Sequence, residues 1–293
     1  MEDKPHKSGY VAIIGKPNAG KSTLMNYILG AKISITTHKA QTTRHQIVGI
    51  FSDEDSQIVF LDTPGVISPK YELQKAMMKS VERARSDADI ILFIHDPLDK
   101  HPTDDVVNMI KSINKPVYLV VNKMDAANHE KAEKSVADLE AKMKIRSVHY
   151  VSATLGTGVA ELLDDIKTGL LPGPPFYPKE DLSEHPVRFF VSELIREQIF
   201  LQFHQEIPYS CTVEVVSYDA DVDIDRIHAD IIVNQKSQKG MLIGKGGSAI
   251  KELGIEARKS VEEFIGKQVY LELHVKVREK WREKEGWVRN LGY

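Results

Sequence analysis

A glycine-rich octapeptide near the amino terminus has the residue types of a phosphate-binding loop. Residues 15–22, GKPNAGKS, match the pattern G-x-x-x-x-G-K-[ST] in full. The glycines allow a tight turn in which successive backbone N–H groups face a phosphate. Lys21 would place a positive charge at the outer phosphates, and the Ser22 hydroxyl would ligate Mg²⁺. The predicted contact residues are Gly15, Lys16, Pro17, Asn18, Ala19, Gly20, Lys21 and Ser22.

A second motif, DTPG, follows the apolar run QIVFL about 40 residues later. Asp62 could hold Mg²⁺ through water, and Gly65 could offer its backbone N–H to a γ-phosphate. Asp, Pro and Gly are turn formers, so the motif alone would predict an ordinary turn. Its position after the phosphate loop favours a nucleotide contact instead. The predicted contact residues are Asp62, Thr63, Pro64, Gly65 and Val66.

Residues 122–125, NKMD, have the chemistry to select a guanine base. The Asp125 carboxylate could accept two hydrogen bonds from the guanine N1–H and 2-amino groups, a donor pair that adenine lacks. A site built around such donors strongly rejects a base without them, because its buried polar atoms would stay unpaired. Asn122 would tie the base to the loop, Lys123 would pack on the ring, and Met124 completes the motif. Ser152 and Ala153, after the run SVHYV, would present a backbone N–H to guanine O6.

Residues 33–50, ISITTHKAQTTRHQIVGI, are polar for most of their length and show no period, which predicts a mobile loop. A threonine on Mg²⁺ could order this loop when a γ-phosphate is present. Thr42 and Thr43 are both candidates, and the sequence does not choose between them. Together with Lys21 and Gly65, they are the residues predicted to act in catalysis.

The position after DTPG is Val66, where many related enzymes place a glutamine that orients the attacking water. A valine side chain cannot hydrogen-bond water. Arg44 is close in sequence but is not an obvious arginine finger. We therefore expect the protein alone to hydrolyse a bound guanine nucleoside triphosphate slowly, and another group to accelerate the reaction.

The elements that must position these motifs alternate between strands and helices. Apolar, β-branched runs predict buried strands, and an alternating order predicts a parallel sheet covered on both faces. The predicted strands are GYVAII, QIVFL, DIILFIH, PVYLVV and SVHYV. The predicted helices are STLMNYIL, ELQKAMMKSVERARS, TDDVVNMIKSI and HEKAEKSVADLEAKMK.

The composition of the chain changes at residue 172, where four prolines begin a stretch typical of an extended linker. We therefore predict an α/β domain at 1–171, a linker at 172–183 and a smaller α+β domain at 184–293. The last domain has a helix, two strands, a glycine cluster, a helix and a strand. The final stretch, from residue 278, is predicted to be helical.

The glycine cluster of the second domain could approach a nucleic-acid backbone. A G-x-x-G turn at residues 244–247 allows close approach of a sugar–phosphate chain, and Lys245 supplies charge beside it. The motif alone is common in turns, but the order of elements around it is that of a type II KH domain. Residues 236–293 hold 13 Lys and Arg against 8 Asp and Glu, whereas residues 184–235 hold 3 against 10. The predicted RNA contacts are Ile243, Gly244, Lys245, Gly246, Gly247 and Ser248.

Composition points to a cytoplasmic protein. Hydrophobic residues make up 42% and charged residues 28%, with a net charge of −3. No apolar run reaches the roughly 18 residues of a membrane helix, and the first ten residues lack the apolar core of a secretory signal. Cys211 is the single cysteine, and we expect it to be buried.

The motifs together resemble two known families. The amino-terminal half resembles Ras-like P-loop GTPases of the translation-factor type. Joined to the KH pattern, the whole chain resembles the Era family of bacterial GTPases. The resemblance rests on GKPNAGKS, QTTRHQIVGI, DTPG, NKMD, SAT and GMLIGKGGSAIK. It implies binding of GTP and GDP with Mg²⁺, GTP hydrolysis, binding to the 3′ end of 16S ribosomal RNA and a role in maturing the small ribosomal subunit.

The resemblance leaves several points open. GTPases with an asparagine at the position of Asn18 can hold K⁺ against the phosphates, whereas the plainer interpretation makes Asn18 a loop-capping residue. The family also implies loose, peripheral association with the cytoplasmic face of the inner membrane, and we expect a monomer. A constitutive RNA-binding module and a membrane signalling GTPase are the alternative classes. The switch-like loop argues against the first, and the lack of a carboxy-terminal lipidation cysteine argues against the second.

Overall fold

The computed structural model describes residues 5–99 and 103–293. Residues 1–4, which belong to the ten-residue stretch assessed above for a secretory signal, therefore lie outside the described residues. The chain forms two compact units. The amino-terminal unit comprises Met1–Ser34, Thr43–Ser68 and Met77–Glu184, and the carboxy-terminal unit comprises Ile35–Thr42, Pro69–Ala76 and His185–Tyr293.

The amino-terminal unit contains a six-stranded sheet of order β2-β3-β1-β4-β5-β6. All neighbouring strands are parallel except the β2–β3 pair, which is antiparallel. The predicted mostly parallel α/β fold is therefore confirmed. The strands are β1 Lys7–Gly15, β2 Ile47–Ser52, β3 Ser56–Asp62, β4 Ile90–His95, β5 Val117–Val121 and β6 Ser147–Tyr150.

Among the described residues, four helices connect these strands and a fifth follows β6. They are α1 Lys21–Leu29, α2 Glu72–Asp87, α3 Asp104–Lys111, α4 His129–Glu140 and α5 Val159–Gly169. Because β1, β3, β5 and β6 are parallel, their carboxyl ends meet at one edge of the sheet. The four predicted nucleotide motifs directly follow these ends, so the sheet brings them together.

Two elements of this unit differ from the sequence-based prediction. Residues 47–50, predicted as the end of a mobile loop, begin strand β2, because they pair with β3 and bury Ile47, Val48 and Ile50. Helix α5 was not predicted, although its buried residues Val159 and Leu162 lie three apart, as on one helical face.

The predicted linker lies against the edge strand β2. The Ile50 N–H donates to Leu182 O at 2.9 Å, and the Ser183 hydroxyl donates to Val48 O. The Gln57 side chain donates to Tyr177 O at 2.9 Å. The first two bonds occupy part of a strand edge that would otherwise expose unpaired backbone groups.

The carboxy-terminal unit packs helices on a three-stranded sheet of order β7-β8-β9, with β7–β8 antiparallel and β8–β9 parallel. This α+β architecture confirms the predicted KH fold. The strands are β7 Cys211–Asp219, β8 Asp225–Val233 and β9 Val269–Val277. The helices are α6 Val187–Gln202, α7 Ile207–Ser210, α8 Lys236–Ile243, α9 Ser248–Ile265 and α10 Glu285–Asn290. Cys211 is buried.

The carboxy-terminal stretch is less helical than predicted. It forms a short 3₁₀ turn at Trp281–Glu283 and the six-residue helix α10. The Trp281 side chain is buried, and its indole N–H donates to Ser210 O at 2.9 Å. Lys280 has a positive φ of 56°, which a continuous helix does not allow. Anchoring of the tryptophan therefore interrupts the helix.

Candidate guanine nucleotide site

The phosphate loop connects β1 to α1, and its backbone requires glycine at two positions. Gly20 has φ 94°, and a Cβ there would lie 2.1 Å from Asn122 Nδ2. A Cβ on Gly15 would lie 2.4 Å from Ile94 O. Glycine is therefore required at both positions because atoms of β4 and of the NKMD motif approach the loop closely. The loop opens directly into the amino terminus of α1, which favours anions.

Lys21 lies inside this loop and is only 5% exposed. Its ammonium donates to Lys16 O at 2.8 Å and Gly15 O at 3.3 Å. Burial lowers the pKa of Lys21 to about 8, although the charge of Asp62 opposes the shift. A desolvated ammonium among backbone carbonyls is suited to an incoming phosphate, which would restore a full ionic partner.

Replacing Lys21 with alanine is expected to weaken GTP binding about 30-fold, since a charged hydrogen bond contributes about 2 kcal/mol. The fold should remain intact because the lost contribution is charge rather than packing. Nucleotide affinity by fluorescence titration and the melting temperature measure the two effects. Lys134→Ala, the same change at an exposed position on α4, is the control. Normal GTP binding and hydrolysis by Lys21→Ala would place the chemistry elsewhere.

Three oxygen-bearing side chains meet next to the phosphate loop. Ser22 Oγ donates to Asp62 Oδ2 at 2.6 Å and lies 3.0 Å from Thr43 Oγ1. Asp62 is fully buried, its burial raises its pKa, and its Oδ1 accepts no hydrogen bond from any described residue. Hard oxygen donors with a free buried carboxylate oxygen fit Mg²⁺, which binds through few protein ligands plus phosphates and water.

The described residues contain no cluster of three or more His, Cys, Asp or Glu side chains that could hold a metal ion. If Mg²⁺ entered with the phosphates of a nucleotide, Ser22 would be a direct ligand and Asp62 would hold a metal-bound water, and the metal would neutralise charge on the transferred phosphate.

The structure separates the two candidate threonines. Thr43 belongs to the amino-terminal unit and contacts Ser22. Thr42 belongs to the carboxy-terminal unit, and its hydroxyl donates to Lys39 O at 2.7 Å. Only Thr43 therefore lies at the candidate metal site in this conformation.

The DTPG segment lies close to the phosphate loop. Thr63 Oγ1 donates to Ile13 O at 2.7 Å, and a Cβ on Gly65 would lie 2.5 Å from Pro17 N. Pro64 lies between these two positions. Val66 is buried and its backbone N–H donates to Gly15 O at 3.0 Å. Its side chain offers no group to orient water, as the sequence predicts.

The guanine-selective motif is joined to two neighbouring loops through Asn122. Its Nδ2 donates to Ala19 O at 2.9 Å, and its Oδ1 accepts from Ala153 N at 3.0 Å. The Met124 N–H donates to Val151 O at 3.1 Å. One side chain thus connects the phosphate loop, NKMD and the SAT loop.

The backbone N–H groups of Ser152 and Ala153, predicted to face guanine O6, donate hydrogen bonds within the protein instead. The N–H of Ser152 donates to Thr157 O at 3.0 Å, and that of Ala153 donates to Asn122, so both predicted partners of guanine O6 donate within the protein. The Ser152 hydroxyl instead donates to Asp125 Oδ1 at 2.6 Å and orients that carboxylate. Lys123 has a positive φ of 63° and pairs with Asp96 at 2.6 Å.

The glycine loop of the carboxy-terminal unit exposes backbone at the start of α9. Gly244, Gly246 and Gly247 have φ of 73°, 61° and 82°. A Cβ on Gly246 or Gly247 would meet nothing within 4 Å, so backbone there is open to a ligand. Lys245 and Ser248 are exposed beside it. Open backbone, a helix amino terminus and a lysine together fit a phosphodiester.

Fold and site together define a P-loop GTPase followed by a KH domain. A family model described as 50S ribosome-binding GTPase matches residues 10–123, and a KH domain model matches residues 206–282. Chloroplastic GTPase ERA1 from Zea mays is 44% identical over 296 residues, which cover 98% of this chain and 71% of that protein.

Two solved structures cover both units. Era from Aquifex aeolicus, a variant bound to GDP and AlF4⁻, is 36% identical with a TM-score of 0.93, covering 98% of this chain and 99% of that one. Era in complex with MgGDPNP and nucleotides 1506–1542 of 16S ribosomal RNA has the same identity and coverage and a TM-score of 0.94. The chain belongs to the Era family of GTPases, which confirms the predicted family and enzyme class. Among the residues that the structure describes, no helix is both long and apolar enough to cross a membrane.

Proposed function

We propose that this GTPase binds the 3′ region of 16S ribosomal RNA through Ile243–Ser248 and assists maturation of the small ribosomal subunit. The observation that carries the proposal is the match to Era in complex with that RNA and MgGDPNP over 98% of the chain. The exposed backbone of the glycine loop and the charge of Lys245 supply groups that can bind a phosphodiester. The same relative supports Mg²⁺ as the cofactor.

A direct test measures binding of an RNA with the sequence of nucleotides 1506–1542 to the full chain, in the presence of Mg²⁺ and GTP analogue. A scrambled RNA of equal length and composition is the control. Tight binding of the first and weak, salt-sensitive binding of the second are expected. Equal affinity for both RNAs would reduce the protein to a non-specific binder.

We further infer that nucleotide state and RNA affinity are linked through segment 35–42, which belongs to the carboxy-terminal unit. Helix α6 holds this segment at both ends. The Thr36 N–H donates to Glu197 Oε1 at 3.1 Å, and Arg196 Nη2 donates to Thr42 O at 2.5 Å. Lys39 donates to Phe203 O at 2.6 Å, near the carboxyl end of α6.

Thr42 directly precedes Thr43, the threonine at the candidate metal site, in the chain. A movement of Thr43 toward a Mg²⁺–γ-phosphate pair would therefore displace Thr42, whose carbonyl accepts a hydrogen bond from Arg196 on α6. Segment 69–76, which follows DTPG, belongs to the same unit, where Arg282 lies over the Tyr71 ring at 4.8 Å. Both segments that would sense the γ-phosphate thus pack with the KH unit, which supports a switch.

Asn18 supports a proposal for how hydrolysis is accelerated. It is exposed in the phosphate loop with a positive φ of 61°, and Val66 contributes no water-orienting group. GTP turnover is expected to be roughly tenfold faster in K⁺ than in Na⁺ at equal ionic strength, corresponding to about 1.4 kcal/mol. Asn18→Ala should remove the difference between the salts. Equal wild-type rates of GTP turnover in both salts would defeat the proposal. If Asn18→Ala lowered the turnover rate by the same factor in K⁺ and in Na⁺, the loop-capping role would be favoured.

We propose that the protein is a monomer in the cytoplasm, as the sequence composition led us to expect for the compartment, with the loose peripheral membrane association that the family resemblance implies. Sedimentation of the purified chain tests the first, with a single species at the monomer mass expected. Flotation with anionic vesicles tests the second. Absence from the vesicle fraction at low salt would count against membrane association.

A further inference from the structure

The Asp62 carboxylate is held by a second hydroxyl that none of the nucleotide motifs contains. Ser34 Oγ donates to Asp62 Oδ2 at 2.9 Å, in addition to the 2.6 Å bond from Ser22. Ser34 is only 2% exposed. Two donors on Oδ2 fix the plane of the carboxylate and leave Oδ1, which accepts no hydrogen bond from the described residues, as the free acceptor.

Ser34 is itself held by the helix that carries Ser22. Asn26 Nδ2 donates to Ser34 O at 2.7 Å, and Asn26 Oδ1 accepts from Ser34 N at 2.9 Å and Ile33 N at 3.0 Å. Ser22 and Asn26 are four residues apart on α1 and so share a face. Helix α1 therefore holds Asp62 directly through Ser22 and indirectly through Asn26 and Ser34.

We propose that Ser34 is a positioning residue of the Mg²⁺ site, whose hydroxyl orients Asp62 so that Oδ1 faces a metal-bound water. The inference rests on the proposed assignment of Asp62 to Mg²⁺. Hydrogen-bond partners that orient metal-binding groups typically contribute 10- to 100-fold to metal affinity. The Ser34 bond is buried, so water cannot replace it easily.

The test titrates Mg²⁺ into the full chain loaded with a fluorescent GDP analogue, for wild type, Ser34→Ala and Ser34→Cys. Half-saturating Mg²⁺ is expected to rise about tenfold in Ser34→Ala. It should also rise in Ser34→Cys, which keeps the shape but donates weakly, so the test survives if the alanine variant fails to fold. GDP release in EDTA should stay at the wild-type rate in both, since the hydroxyl acts on the metal site.

Ser210→Ala is the matched control, because Ser210 is also fully buried and donates to a backbone carbonyl, Ile207 O. It should keep the wild-type Mg²⁺ dependence. Wild-type Mg²⁺ dependence in Ser34→Ala would overturn the inference. Equal weakening of GDP binding with and without Mg²⁺ would also overturn it, because the hydroxyl would then serve only the fold. A wild-type protein without any Mg²⁺ dependence would instead overturn the metal assignment, and the inference with it.

Discussion

Asp125→Asn is expected to lower GTP affinity by about three orders of magnitude and to create a preference for xanthosine triphosphate. The asparagine amide would face the guanine N1–H and 2-amino donors with a donor of its own. Xanthine carries a carbonyl in place of the 2-amino group, so the same amide would find an acceptor. The Ser152 hydroxyl, which donates to Asp125 Oδ1, can still donate to the asparagine oxygen, so the loop should keep its shape.

Competition between the two triphosphates for a fluorescent GDP analogue measures this change. Asp138→Asn, the same chemical change at an exposed position of α4, should leave both affinities at their wild-type values. If GTP affinity in Asp125→Asn were unchanged, Asp125 would not belong to the base pocket.

Aspartate in the glycine loop is expected to reduce RNA affinity at least about 100-fold, through bulk and like charge against phosphate. Gly247 is the informative position. A side chain there enters open space, whereas a Cβ on Gly244 would lie 2.7 Å from Ala249 Cβ and would deform the loop itself. Gly247→Asp should therefore lose RNA binding with no steric clash beyond the backbone strain of its positive φ, while Gly244→Asp adds a clash with Ala249. GTP hydrolysis by the protein alone should continue in both.

Gly266→Asp is a close control for this substitution. Gly266 also has a positive φ, of 74°, and an open Cβ direction, but it ends helix α9 rather than beginning it. The two variants share the backbone strain and the added charge. A difference in their RNA affinity therefore reports where the charge lies, at the glycine loop or at the other end of α9. Equal RNA affinity for Gly247→Asp and Gly266→Asp would remove the glycine loop from the interface.

The parts of the site that could be predicted from sequence are those whose chemistry is local. The phosphate loop is a continuous pattern of eight residues, GKPNAGKS, and NKMD carries its own carboxylate. The reason that glycine is needed at positions 15 and 20 appears only in the fold, because the atoms close to them belong to Ile94 and Asn122. The KH fold could likewise be predicted from the order of its elements and its G-x-x-G turn.

The unpredicted parts depend on contacts between distant residues. Arg196 bonds to the Thr42 carbonyl across 154 residues, and Ser34 bonds to Asp62 across 28. Neither contact leaves a spacing or a period in the sequence. Strand β2 was missed for a related reason, since its apolar residues become a strand only by pairing with β3. The occupied N–H groups of Ser152 and Ala153 likewise follow from loops that meet only in the fold.

The measurement that tests the central claim most directly titrates a labelled RNA, with the sequence of nucleotides 1506–1542, against two forms of the full chain. One form carries GDP and the other a non-hydrolysable GTP analogue, both with Mg²⁺. Since segment 35–42 packs on α6 and ends beside Thr43, we expect the two forms to bind the RNA with different affinities. By linkage, the RNA should then shift the relative affinity for GDP and the GTP analogue by the same factor. Superimposable titration curves would contradict a switch and would leave a GTPase and an RNA-binding domain that act independently on one chain.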